Sequence, residues 1–165
     1  MNQGNLISVI EHDICQKQAK EIASNLVMTD ELFSMRYFYY PYFYFKAECR
    51  MPFLYGRKKF TVNSMVDACS GHAATADLFG TERKIVHQQE LLTKKIKIEA
   101  AQIQAKHYVI DHLNRKFKAL NNYNISMEAK GETYKLFWVL EYTNQSIVID
   151  SITGDFEALN INKSA

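Results

Sequence analysis

Val66-Asp67-Ala68-Cys69-Ser70-Gly71 and Ile149-Asp150-Ser151-Ile152-Thr153-Gly154 are two occurrences of one short pattern, and everything else in the chain is read from them. In both, an Asp leaves an apolar-alternating run, Ser or Thr follows three residues later, and Gly comes next. A chain that leaves a strand and reverses needs partners for its free amides and one position with positive φ. The Asp carboxylate accepts from the N–H groups just ahead of it, as in an Asx turn. Ser70 or Thr153 does the same more weakly, and Gly71 or Gly154 tolerates the left-handed conformation. Each copy therefore reads as strand, tight turn, strand, with Asp67, Gly71, Asp150 and Gly154 as structural turn residues.

The surroundings of the two copies match as well. Gln16-Lys17-Gln18-Ala19-Lys20 precedes the first copy, and Gln102-Ile103-Gln104-Ala105-Lys106 precedes the second, each within a stretch of helical apolar spacing. An aromatic-rich strand and a second strand then lead into each Asp. The order helix, strand, strand, turn, strand is used twice, which is the mark of an internal duplication. With these residues in place, the chain resembles the PepSY domain. That family's signature is a strand ending V-D-A-x-T-G before a final strand, matched here with Ser70 for Thr in the first copy and Ser151 for Ala in the second. The resemblance implies a helix packed on a small antiparallel sheet in each copy. It carries no catalytic residue, and inhibition or protein binding is the usual proposal for such domains.

Composition bounds the rest. The 165 residues are 47% hydrophobic and 23% charged, as in globular proteins generally. Two small modules would have thin cores, so each needs to pack against the other or against a second chain. The formal net charge of +2 argues against a dedicated nucleic-acid binder. Met1-Asn2-Gln3-Gly4-Asn5 is polar and unlike a secretory signal. This predicts a cytoplasmic protein, with an envelope location applying only to a longer, processed chain. No run approaches the length of a membrane span. Cys15, Cys49 and Cys69 are odd in number and widely spaced, as for reduced thiols rather than a disulfide framework.

Along the chain, residues 12–28 read as a first helix, with Ile14, Ala19, Ile22, Ala23 and Leu26 as its stripe and a break at Thr29 and Asp30. Residues 36–44 are aromatic at nearly every position, and Pro41 marks a strand start, an edge or a bulge. From 42 to 50 the alternation places Phe43, Phe45, Ala47 and Cys49 on one face and Tyr42, Tyr44, Lys46, Glu48 and Arg50 on the other. Residues 60–66 form the partner strand, and a short strand near 73–76 follows the turn. Between Gly80 and Gly131 there is no Gly or Pro. Ile85, Leu92, Ile96, Ile103 and Ile110 recur at helical spacing, which predicts one long helix, or two jointed near Lys97, over 82–120 and ended by Asn121 and Asn122. Residues 125–129 read as an entry strand, Lys130-Gly131-Glu132 as a turn, 134–142 as a strand covered on both faces, 146–149 as its return and 155–159 as the last strand.

Candidate chemistry is sparse. His107 and His112 are five apart, which places them on different faces of a helix rather than in a zinc-binding pair. His12, His72 and His87 have no neighbours at ligand spacing, and no Cys lies in a CxxC pair. Asp67 and Asp150 read as turn caps. No catalytic, metal or cofactor site is therefore expected, and the chain is read as a non-enzyme. The lead is the aromatic strand: Tyr40, Tyr42, Tyr44, Lys46 and Arg50 suit a protein or peptide contact, because Tyr adds contact area at low entropy cost. An exposed strand edge beside them would capture an extended segment by β-addition. Arg57-Lys58-Lys59 reads as a solvated hairpin tip.

The expected fold is thus α+β: two small modules, each a helix packed on an antiparallel sheet (PepSY/cystatin-like), joined by a long helix. Its boundaries are 1–80 for the first module, 81–98 for a helical linker and 99–165 for the second. The expected function is non-enzymatic binding of a protein or peptide, regulatory or inhibitory. The alternative is an assembly protein that homodimerises through the long helix or the sheet edges. Neither nucleic acid nor a membrane span is expected.

Overall fold

Strand, at 53%, is the main ingredient of the chain. The computed structural model describes residues 4–28, 30–53, 56–117 and 123–160. In order these form β1 (Asn5–Ile10), α1 (Gln16–Leu26), β2 (Leu32–Phe53), β3 (Gly56–Asp67), β4 (Ala73–Thr75), β5 (Thr81–Val86), α2 (Ile98–Phe117), β6 (Asn124–Tyr142), β7 (Gln145–Asp150) and β8 (Phe156–Asn160). The strands belong to one mixed hydrogen-bonded sheet, ordered β4-β3-β2-β6-β1-β5, with β7 and β8 continuing from β6. β1 with β5, β2 with β3, β3 with β4, β6 with β7 and β7 with β8 pair antiparallel, whereas β1 and β6 meet in parallel at Val9 and Tyr134.

The expected pair of helix-on-sheet modules joined by a long helix does not form. Only two α-helices are present among the described residues, and the segment read as a helical linker is largely extended. Thr81–Val86 is strand β5, paired with β1, and a short 3-10 turn at Gln88–Glu90 follows it. Ile85 and Leu92, read as part of a helical stripe, are exposed in a strand and a loop. Their spacing matches a helix, but the cross-strand bonds to β1 decide the conformation, because local helix preference is a weak prior against tertiary pairing. Strand β1 itself went unread, although Ile7 and Val9 alternate inward there. Lys130-Gly131-Glu132 is not a turn either. β6 runs through it, and Gly131 takes φ +114° within the strand. The expected break at Thr29 and the terminators Asn121 and Asn122 lie outside the described residues, as do 118–120.

Two compact units arise from segments that alternate along the chain. One comprises residues 1–40, 79–92 and 134–165, and the other 41–78 and 93–133. In the second unit, α2 lies on β2, β3 and the first part of β6. Phe43, Phe45 and Val66 pack with Ala101 and Ala105. Ala47, Cys49 and Val62 pack with Val109 and Leu113. Large sheet residues thus meet small helix residues at one end, and small sheet residues meet larger helix residues at the other, a complementary size pattern of the kind that interdigitated cores use. The inward stripe of α2 is Ala101, Ala105, Val109 and Leu113, whereas Ile103, part of the expected stripe, is exposed.

In the first unit, α1 covers β6 and β7. Ala19 and Ala23 pack with Leu140, Tyr142, Ile147 and Ile149, while Ile14 and Ile22 close the margin. Trp138 donates from Nε1 to the Ile14 carbonyl at 2.9 Å and so ties the lead-in of the helix to the sheet. The Cys15 N–H donates to Gln18 Oε1 at 2.9 Å, which caps the first turn of α1.

The two Asp turns sit alike in this geometry, each against the segment that enters a helix. The turn at Asp67 meets the segment entering α2: the Lys95 and Ile96 N–H groups donate to the Ala68 carbonyl at 2.9 and 3.1 Å. The turn at Asp150 meets the segment entering α1, with the Asp13 and Ile14 N–H groups donating to the Ser151 carbonyl at 3.1 and 2.8 Å. Each unit takes its helix from one copy and its Asp turn from the other. The matching helix positions are therefore Ala19 with Ala101 and Ala23 with Ala105. The Gln-Ala-Lys similarity aligned the helices one turn out of register, pairing Ala19 with Ala105.

One difference between the twin turns yields a prediction. Ala68 and Ser151 occupy the same place and both are fully buried, but Ser151 Oγ has no hydrogen-bond partner among the described residues. A buried hydroxyl without a partner loses its water at a cost of about 1–3 kcal/mol. Ser151→Ala, which installs the residue of the twin, is expected to raise unfolding free energy by about 1 kcal/mol in urea melts. A loss of stability would show that the hydroxyl is satisfied.

Candidate functional site

The Asp turns are the best-defined polar features, and each carboxylate accepts from amides of its own turn. Asp67 Oδ1 accepts from the Cys69 and Ser70 N–H groups at 2.7 and 2.9 Å. The Gly71 N–H, at φ +79°, closes onto the Asp67 carbonyl at 2.9 Å. Asp150 Oδ1 accepts from Ile152 and Thr153 at 2.8 and 3.3 Å, and Gly154, at φ +76°, donates to the Asp150 carbonyl at 2.9 Å. The second carboxylate also holds Lys135, in a pair that is largely buried on both sides. Both Asp side chains are thus engaged with their own turns.

Histidines and cysteines do not converge. His107 is exposed and His112 stacks on the Tyr108 ring. Among the described residues no three His, Cys, Asp or Glu side chains are placed to hold a metal ion. Cys49 is buried beneath α2, and desolvation pushes its thiol up to about 11, far from the range of a reactive thiolate. Among the described residues no helix is long and apolar enough to cross a membrane.

The aromatic strand resolves into two groups. Pro41 sits within β2, just before its ladder with β3 begins at Tyr42 and Asp67, and its carbonyl accepts from Ala68. Tyr40 lies before it, in the first unit, where its ring meets Phe137 edge-on at 5.8 Å. Tyr37, in the same unit, donates to Glu90 at 2.8 Å, and this bond with partial burial raises its hydroxyl to about 12.

Tyr42, Tyr44, Lys46 and Arg50 lie beyond Pro41, in the second unit. Alternation places them as the sequence predicts. Phe43, Phe45, Ala47, Cys49 and Met51 are buried, and the intervening side chains are half-buried or exposed. α2 covers only the first set. On the open face, β3 supplies the directly opposed neighbours: Asp67 to Tyr42, Met65 to Tyr44, Asn63 to Lys46, Thr61 to Glu48 and Lys59 to Arg50. β6 flanks β2 on its other side and exposes Asn124, Ser126 and Glu128. β2 is therefore an interior strand, and its backbone is engaged on both sides. The expected β-addition therefore cannot use β2 itself, which lies between β3 and β6.

Charge is uneven across this face. Lys46 lies 3.5 Å from Glu48, and Lys130 donates to Glu128 at 2.6 Å. That hydrogen bond, with the nearby Lys130 and Lys46 charges, holds the Glu128 carboxyl below its ordinary value. The acids of the face thus already have cations beside them. Arg50 and Lys59 oppose each other directly across the ladder, and Arg57 lies two residues farther along β3, opposite Pro52. Three shallow depressions at this end share Arg50: one with Glu48, Lys59 and Thr61, one with Asn124 and Ser126, and one with Pro52, Arg57 and Asn124. The sequence reading separated Arg50 from the basic tip. The hairpin register, with Phe53 opposite Gly56, brings them together.

Comparison with known proteins returns no matching family model, curated protein or solved structure.

Proposed function

We propose that the protein is a non-enzymatic module that binds a protein or peptide on the open face of β2 and β3. The observation that carries this reading is the one-sided cover of β2. α2 buries Phe43, Phe45, Ala47 and Cys49, and Tyr42, Tyr44, Lys46 and Arg50 stand together on the opposite side. Half-buried tyrosines on a rigid strand offer contact area that is already ordered, and flanking charges supply direction. The likeness of the twin turns to the PepSY signature points the same way, because protein binding or inhibition is the usual proposal there. Because β2 is interior, recognition runs through side chains of the face rather than through a backbone ladder.

Peptides selected from a displayed random library against the purified protein test this. Replacing Tyr42 and Tyr44 together by Ser is expected to weaken the selected binders by about tenfold or more, with a lowered melting temperature but a chain still folded at the assay temperature. Binders that are indifferent to both tyrosines would contradict the assignment of the face.

A second reading, homodimerisation through a sheet edge, is favoured by β8. Among the described residues it pairs with β7 alone, and it exposes Phe156 at 51% and Leu159 at 48%. A bare apolar edge of this kind is a template for pairing with another chain. Light scattering over a dilution series separates the readings, since a dimer that survives dilution and is broken by Phe156→Lys would favour assembly.

A further inference from the structure

We infer that the Arg50 end of the β2–β3 face is a carboxylate-binding site, and that the partner is an extended acidic peptide. This rests on the proposed function and narrows its partner. Arg50 and Lys59 are directly opposed on one face of an antiparallel ladder, where like charges destabilise the pairing. An anion between them turns that repulsion into attraction on both sides. Arg57 extends the cationic surface by one more step along β3. Glu48 and Glu128 are already drawn to Lys46 and Lys130.

The donor set fits a carboxylate. The Arg50 guanidinium offers a planar fork for two parallel N–H···O bonds, and Lys59 adds a compact point charge. On the β6 side of Arg50, the Asn124 amide and Ser126 hydroxyl line depressions that adjoin its guanidinium and offer further polar contacts. Spacing fits an extended chain, whose alternate side chains recur at about 7 Å, the same period as alternate positions of β2. A peptide with acidic residues at every second position thus presents one carboxylate to Arg50 and Lys59 while its backbone passes toward Tyr44. Nucleic acid fits less well. The tyrosines are half-buried rather than presented for stacking, and the chain as a whole is close to neutral at +2.

The test uses fluorescein-labelled peptides of alternating Thr and Glu, with Thr and Gln as the neutral control and oligo-dT as the nucleic-acid arm. Fluorescence anisotropy with the full chain is expected to show the Glu peptide bound about tenfold or more tightly than the Gln peptide, with affinity falling as salt rises. Arg50→Glu should remove that preference while holding or raising the melting temperature, because it places opposite charges at the Arg50–Lys59 position. A stability gain with a binding loss excludes misfolding as the cause. The inference is overturned if Arg50→Glu leaves the Glu peptide's affinity intact, or if oligo-dT binds more tightly than the peptide. If both peptides bind equally and the Tyr42/Tyr44 replacement still weakens them, the carboxylate site fails and the broader reading stands. If neither peptide binds, the carboxylate site fails, and the library selection alone decides the broader reading.

Discussion

Phe45→Ala is expected to lower the unfolding free energy by about 3–5 kcal/mol, against about 1 kcal/mol for Tyr44→Ala one residue away. Phe45 is fully buried, and its ring fills the space that Ala101 and Ala105 leave beneath α2. Two alanines on a helix held at both ends cannot expand into the void, so the lost transfer energy and the cavity add. Tyr44 faces the other way and is half-buried, so its truncation opens no enclosed cavity beneath α2. For a domain whose total stability is about 5–15 kcal/mol, the Phe45 change removes a large share. Urea denaturation followed by Trp138 fluorescence and far-ultraviolet dichroism measures both variants. Equal costs at the two positions would mean that both faces of β2 are covered.

Asp150→Ala should cost about 2–3 kcal/mol in the same assay. Its carboxylate accepts from the Ile152 and Thr153 amides and also holds Lys135. Removing it strands two turn donors and leaves an ammonium in a largely buried place, and each loss carries about 1–3 kcal/mol before solvent relaxes around it. Adding Lys135→Met to the Asp150→Ala background should restore part of the loss, because the stranded charge is then gone. Asp150→Asn keeps an acceptor for the amides and is expected to fall between wild type and Ala. A cost below about 0.5 kcal/mol for Ala would place the turn's stability in Gly154 and its backbone bonds instead.

The strongest local signals were legible and the long-range pairing was not. Asx chemistry at Asp67 and Asp150, positive φ at Gly71 and Gly154, and the two faces of 42–50 follow from period-two alternation and turn geometry, and the structure shows them. The segment 81–98 failed because Glu82, Arg83 and Lys84 are good helix formers beside Ile85, and nothing local announces that β1 waits to pair with them. The inward stripe of α2 was missed because its key members are alanines. Ile103 looked like core, yet close approach to Phe43 and Phe45 requires small residues there. Interleaving could not be read at all. Each Asp turn meets the segment entering a helix far away in sequence, a long-range pairing that no local pattern specifies. At the candidate site, Arg50 and Lys59 were both in view, and only the register set by Phe53 and Gly56 joins them.

The account turns on the open face of β2 and β3 being the working surface, and backbone and side-chain NMR of the labelled chain during titration with the Thr–Glu peptide tests that most directly. Shifts that saturate at Tyr44, Lys46, Arg50, Lys59, Thr61 and Ser126, while Ala101, Ala105 and Val109 beneath the sheet and the β8 edge at Phe156 stay still, are the predicted result. Shifts confined to the β8 edge, or a spectrum that does not move at any peptide concentration, would contradict it.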